Sequence, residues 1–79
     1  MDLLNSYYEY EDAYCKMQYE KLKDLGLEML SFINDKESKE LIKKLSKTEW
    51  NSNLSEEKRR ELSNLYLEIK NWIMVHIEF

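Results

Sequence analysis

Two side chains in this 79-residue sequence could do chemistry of their own, the lone cysteine Cys15 and the lone histidine His76. A thiol becomes a nucleophile when a base takes its proton, and imidazole is the usual base near neutral pH. The pair stands 61 positions apart with none of the Asn, Asp or Gly context of a Cys–His site. Cys15 therefore reads as a small, partly buried hydrophobe and His76 as a partly buried, hydrogen-bonded side chain. A single cysteine leaves no intramolecular disulfide and no multi-cysteine metal motif, which fits a reducing compartment. Metal binding at His76 needs a second histidine or acids on the same face, and Glu9 with Asp12, three apart, offers only a weak cation contact. With one glycine there is no phosphate-cradling loop, no nucleophile elbow and no calcium-binding loop. No enzymatic activity, cofactor or metal is expected.

What departs from an ordinary composition is the N-terminal arm. The net charge is -4, and Asp2, Glu9, Glu11 and Asp12 all precede the first basic residue, Lys16; the other twelve acids balance the twelve bases. Five of the six tyrosines, Tyr7, Tyr8, Tyr10, Tyr14 and Tyr19, fall in the same region. Tyrosine offers a large amphipathic contact at low entropic cost, and acids steer toward basic partners. Tyr7, Tyr8, Glu9, Tyr10, Glu11, Asp12 and Tyr14 are thus the candidate partner-binding face. The competing reading makes the tyrosines edge-of-core packing and the acids a solvated face.

Two basic clusters suit phosphates instead: Lys36, Lys39, Lys43, Lys44 and Lys47, then Lys58, Arg59 and Arg60. Glutamates at helical spacing (Glu40 to Lys44, Glu56 to Arg60, Glu57 to Arg60) imply self-paired faces. Direct nucleic-acid binding through Lys36, Lys39, Lys43, Lys47, Arg59 and Arg60 is the weaker expectation for a chain with pI near 5.0.

The elements that must position these residues read as helices. No proline, one glycine and 35% charged residues leave little for hairpins to turn on. The first predicted helix runs from Asp2 toward Ile33, continuous through Gly26. An aromatic line (Leu3, Tyr7, Tyr10, Tyr14, Met17) gives way at Tyr14 to another (Gln18, Leu22, Leu25, Met29, Phe32), with a shift of face. Asn34 and Asp35 break the chain, and Asp35 caps a short helix over 36–47 with Leu41, Ile42 and Leu45 on one face. A loop over 48–53 folds Trp50 back onto the core. Ser55 caps a last helix whose seam is Leu62, Leu65, Ile69, Trp72 and His76 and which reaches Phe79. Trp72 to Phe79 is apolar on most faces and needs covering by its own bundle or another chain. No stretch of eighteen apolar residues and no leader-like segment is present.

The sequence thus predicts one all-α domain over 1–79, a small three-helix bundle or helical hairpin with a short helix between two long ones. The expected core is Leu22, Leu25, Met29, Phe32, Leu41, Leu45, Leu62, Leu65, Ile69 and Trp72. A cytoplasmic location (the host cytoplasm for a viral protein), no membrane contact and a twofold homodimer are expected. The function expected is a non-catalytic inhibitor that blocks a larger basic or nucleic-acid-handling protein through the acidic, tyrosine-rich helix. Size and composition suit a phage or mobile-element accessory protein, for instance an anti-CRISPR-like inhibitor of a defence nuclease. A small dimeric DNA-binding regulator and an antitoxin or immunity protein are the alternatives.

Overall fold

The computed structural model describes residues 2–48, 50 and 53–77. Four helices follow one another: α1, Leu3–Cys15; α2, Tyr19–Ile33; α3, Lys36–Lys47; and α4, Glu56–Met74. The all-helical expectation holds among the described residues, where no strand occurs. No helix there is long and apolar enough to cross a membrane. Four helices rather than three is a correction, and it comes from Lys16 to Gln18.

No side-chain cap marks that break. The Gln18 N–H donates to the Ala13 carbonyl at 2.9 Å and the Met17 N–H to the Tyr14 carbonyl at 3.1 Å, the paired closing bonds of a Schellman turn. Met17 takes the left-handed conformation at its centre, with φ of 58°. Glycine is the usual occupant of that position, so methionine there gave no sign of a stop.

The second break follows expectation. Asn34, at φ of 51°, ends α2 with its N–H on the Leu30 carbonyl at 2.9 Å. Asp35 caps α3 by accepting from the Ser38 N–H at 2.8 Å. That bond holds the Asp35 carboxyl below the usual carboxylate range, with His76 contributing less. Ser55 caps α4 by accepting from the Lys58 N–H, and Asp2 caps α1 in the same way through Asn5. The predicted loop over 48–53 is described at Thr48, Trp50 and Asn53. Trp50 does fold inward, 6% exposed, donating its indole N–H to the Leu45 carbonyl at 3.2 Å.

Short turns make α1, α2 and α3 run alternately, with α2 between the other two; α1 and α3 do not pack on each other. Gly26 lies in mid-α2, so the expected continuity there is right. A Cβ on it would stand 3.3 Å from Leu45 Cδ2 and 3.7 Å from Tyr10 Cε1, so its smallness lets α1 and α3 close on α2 from both sides. Helix α4 lies against all three others.

The core is Tyr7, Tyr10, Ala13, Leu22, Leu25, Met29, Leu30, Leu41, Leu45, Trp50, Leu54, Leu62, Leu65, Tyr66, Ile69 and Ile73. Phe32 is excluded from it, 55% exposed. The buried residues of α2, Leu22, Leu25, Gly26, Met29 and Leu30, centre on a direction from which Phe32 departs by roughly 90° at 3.6 residues per turn. Trp72 is half-buried and donates its indole N–H to the buried Ser38 hydroxyl at 2.9 Å. The last helix ends at Met74, short of the predicted Phe79, which lies outside the described residues. Past Ile73 the apolar run is largely uncovered: Met74 is 36% and Val75 73% exposed.

Candidate functional site

Helix α1 carries the acidic, tyrosine-rich arm, and its rotation decides which of those residues a partner can meet. Tyr7, Tyr10 and Ala13 are buried, at 5%, 0% and 1% exposure. Tyr14 is half-buried. These four positions share one face of a helix, and that face turns onto α2 and α4. The expected exposed stripe of Tyr7, Tyr10 and Tyr14 is therefore corrected: those rings belong to the core and its edge.

Their receiver is Tyr66 of α4. Its ring lies between Tyr14, stacked at 3.8 Å between centroids, and Tyr10, stacked at 5.0 Å. The Tyr14 and Ser63 hydroxyls share a hydrogen bond of 2.8 Å, and half-buried Glu11 meets Lys70 at 3.5 Å. Lys70 also stands 6.0 Å above the Tyr66 ring. The α1/α4 seam is thus aromatic in the middle and charge-paired at its margin. Burial pushes the Tyr7 hydroxyl up to about 12, helped by the Glu11 carboxylate, and pushes Tyr66 to about 12 with Glu11 again adding to it. Tyr10 is raised further, by burial first.

The sequence seam of α4 left out Tyr66 and Ile73 and included His76. The missed signal is that Leu62, Tyr66, Ile69 and Ile73 recur at four, three and four residues, the helical period that marks a buried face.

The opposite face of α1 is what solvent sees: Asp2, Asn5, Tyr8, Glu9 and Asp12 are exposed. Tyr8 is 54% exposed. Its ring is seated edge-on against Tyr7 at 5.9 Å and an interplanar angle of 61°. Asp12 pairs with Lys16 at 3.0 Å across open solvent, an arrangement of small energetic worth. Of the seven candidate residues, Tyr8, Glu9 and Asp12 form one presented surface, and Glu11 is committed to Lys70.

The basic residues do not assemble into one site. Lys36, Lys39, Lys43 and Lys47 are exposed on α3, whereas Arg59 lines an open depression with Tyr14, Cys15, Met17 and Leu62 at the far end of α1. Arg60 pairs with Glu56 at 3.8 Å, as the spacing predicted. Lys44 does not pair with Glu40; it reaches across to Glu68 of α4 at 3.0 Å. Among the described residues Glu57 makes no ion pair with Arg60.

Cys15 and His76 sit at opposite ends of α4. Cys15 is exposed beside Leu62 and Ser63. His76 donates from Nδ1 to the Trp72 carbonyl at 2.9 Å and places Nε2 3.6 Å from Asp35. Thirteen residues of chain from Ser63 to His76, at 1.5 Å each, separate thiol and imidazole by about 20 Å. His76 is hydrogen-bonded as expected but exposed rather than part of the seam. Among the described residues no group of three His, Cys, Asp or Glu side chains is gathered to hold a metal.

No protein-family model matches this chain, and comparison with curated proteins and with solved structures likewise finds no match.

Proposed function

We propose that this chain is a non-catalytic binding module that docks the outer face of α1 on a basic surface of a larger protein. The observation that carries the reading is Tyr8. Its ring is half in water while Tyr7, Tyr10 and Tyr14 are drawn inward, and Glu9, Asp12 and Asp2 share its face. A tyrosine held by an edge contact loses little rotamer freedom on binding, and surrounding carboxylates select a cationic partner.

Carboxylates along a helix can occupy a groove that otherwise holds phosphates, so a nucleic-acid-handling protein suits this face and occupancy would inhibit it by competition. An inhibitor and an antitoxin would use this chemistry alike and differ only in the partner.

The test compares the wild type with a Tyr8→Ala/Glu9→Gln/Asp12→Asn variant, all three sites exposed, as immobilised bait in bacterial lysate. The expected result is capture of a basic nucleic-acid-binding protein by the wild type, its release by added duplex DNA, and no capture by a variant with unchanged helicity and thermal stability. Equal capture by both proteins would overturn the assignment of α1.

A further inference from the structure

Helix α3 carries five lysines and two glutamates in a chain whose net charge is -4. Lys36, Lys39, Lys43 and Lys47 fall within an arc of roughly 80° at 3.6 residues per turn, directly opposite the buried Leu41 and Leu45. All four are exposed, and among the described residues none has an ion-pair partner. Glu37 stands on the side of Lys44, whereas Glu40, four residues from both Lys36 and Lys44, lies at the margin of the row and among the described residues makes no ion pair. Lys44 is itself bound to Glu68 of α4. The fold thus ties Lys44 to α4 and leaves four lysines, with Glu40 at their margin, as a cationic row toward solvent.

The geometry points to this row as a binding site for the phosphate backbone of a nucleic-acid duplex, read by charge and without base contacts. The four ammonium groups rise over eleven residues, about 16 Å of straight helix. One strand of a duplex offers a phosphate every 3.4 Å of axial rise or so, and lysine's flexible stem tolerates the mismatch in spacing. A single strand is the poorer fit, because such sites stack bases on aromatic rings. On α3's solvent side no aromatic residue is exposed, and Trp50 beyond its end is buried. A lipid surface is poorer still, since an interfacial helix needs apolar side chains to insert. Every exposed residue of α3 is Lys, Glu or Ser.

The acids of α1 do not cancel the row. Helix α2 packs between the two edges, so they stand up to two helix spacings apart, at most about 20 Å. The Debye length at 0.1 M salt is about 10 Å, so duplex on the α3 edge is largely screened from Asp2, Glu9 and Asp12. This inference is independent of the reading of α1, and either edge can fail alone.

The experiment is fluorescence anisotropy of a short labelled DNA duplex titrated with the full chain at several salt concentrations. Four phosphate contacts give a slope of about -3.6 in log affinity against log salt, a fall of roughly 150-fold between 50 and 200 mM. Lys39→Gln/Lys43→Gln should bring the slope to about -1.8, whereas Lys21→Gln on α2 and the paired Lys44→Gln should leave it unchanged. A single strand of the same length should bind more weakly. The proposal is overturned by no binding at 50 mM salt, or by equal losses from Lys21→Gln and Lys39→Gln, which would mark a mere net-charge effect. Tighter binding to phosphatidylglycerol vesicles than to duplex would give the row to a membrane. A salt-sensitive dimer in sedimentation without DNA, abolished by Lys39→Gln/Lys43→Gln, would give it to the acidic face of a second copy.

Discussion

Tyr10 is the residue on which the burial of the arm can be checked most directly. It is fully buried beside Gly26 and Tyr66, and among the described residues its hydroxyl has no hydrogen-bond partner. A buried, unsatisfied hydroxyl costs about 1 to 3 kcal/mol of desolvation that nothing returns. Tyr10→Phe keeps the ring and its stack and removes the cost. The variant should therefore be more stable than the wild type by about 1 kcal/mol, read as a higher urea midpoint at unchanged slope. A lower midpoint would mean that the hydroxyl is satisfied in solution, and that the ring's environment is wetter than its zero exposure implies. An exposed Tyr10, as a recognition stripe requires, would show no change.

Among the elements, the turn between α1 and α2 is where an ordinary side chain sits in a glycine's conformation. The left-handed region costs an L-residue roughly 1 to 2 kcal/mol, and Met17 recovers little by contact because it is 53% exposed. Met17→Gly should stabilise the protein by about 1 kcal/mol, less the added entropy of the unfolded glycine. The check is thermal unfolding beside Met17→Ala, which keeps the strain and should gain nothing. If glycine destabilises, the left-handed Met17 is wrong and α1 runs into α2. The same turn shows what could be read in advance. The starts of α3 and α4 were legible because Asp35 and Ser55 stop and start helices with their own side chains, a chemistry visible in residue type. The end of α1 is made by backbone groups around a methionine, and residue type carries no trace of it. For the candidate site the arm was legible, but its facing was not taken from the spacing. Tyr7, Tyr10 and Tyr14 recur at three and four residues, which is a helical packing line, while Tyr8 alone breaks that period and is the ring left outside. The lysine row of α3 was equally visible. The pairing of Lys44 was not, because Glu68 is 24 residues further along the chain and only the tertiary fold brings it near.

For the whole molecule, α4 is the element that makes the two charged edges one structure. It holds α1 through the Tyr10–Tyr66–Tyr14 stack and α3 through Ser38–Trp72 and Lys44–Glu68. Loosening the α1 seam should therefore be felt at α3, and alkali is the means to loosen it. Tyr7 and Tyr66 titrate near 12 when folded, against 10.0 for the free side chain. The unfolded chain gives up those protons first, so the stability present below pH 10 is lost as the pH rises from 10 toward 12. Two probes lie away from that seam, both bonded to α3: Trp50 to the Leu45 carbonyl and Trp72 to Ser38. If the four helices unfold as a unit, tryptophan fluorescence and tyrosinate absorbance should change at the same alkaline midpoint. Tyr66→Phe, which keeps the stacking ring but has no proton to lose, should move both midpoints upward together. A tryptophan transition that stays in place while the tyrosinate transition moves would separate α3 from α1. The molecule would then be two helical units joined at α4, each presenting its charged edge on its own.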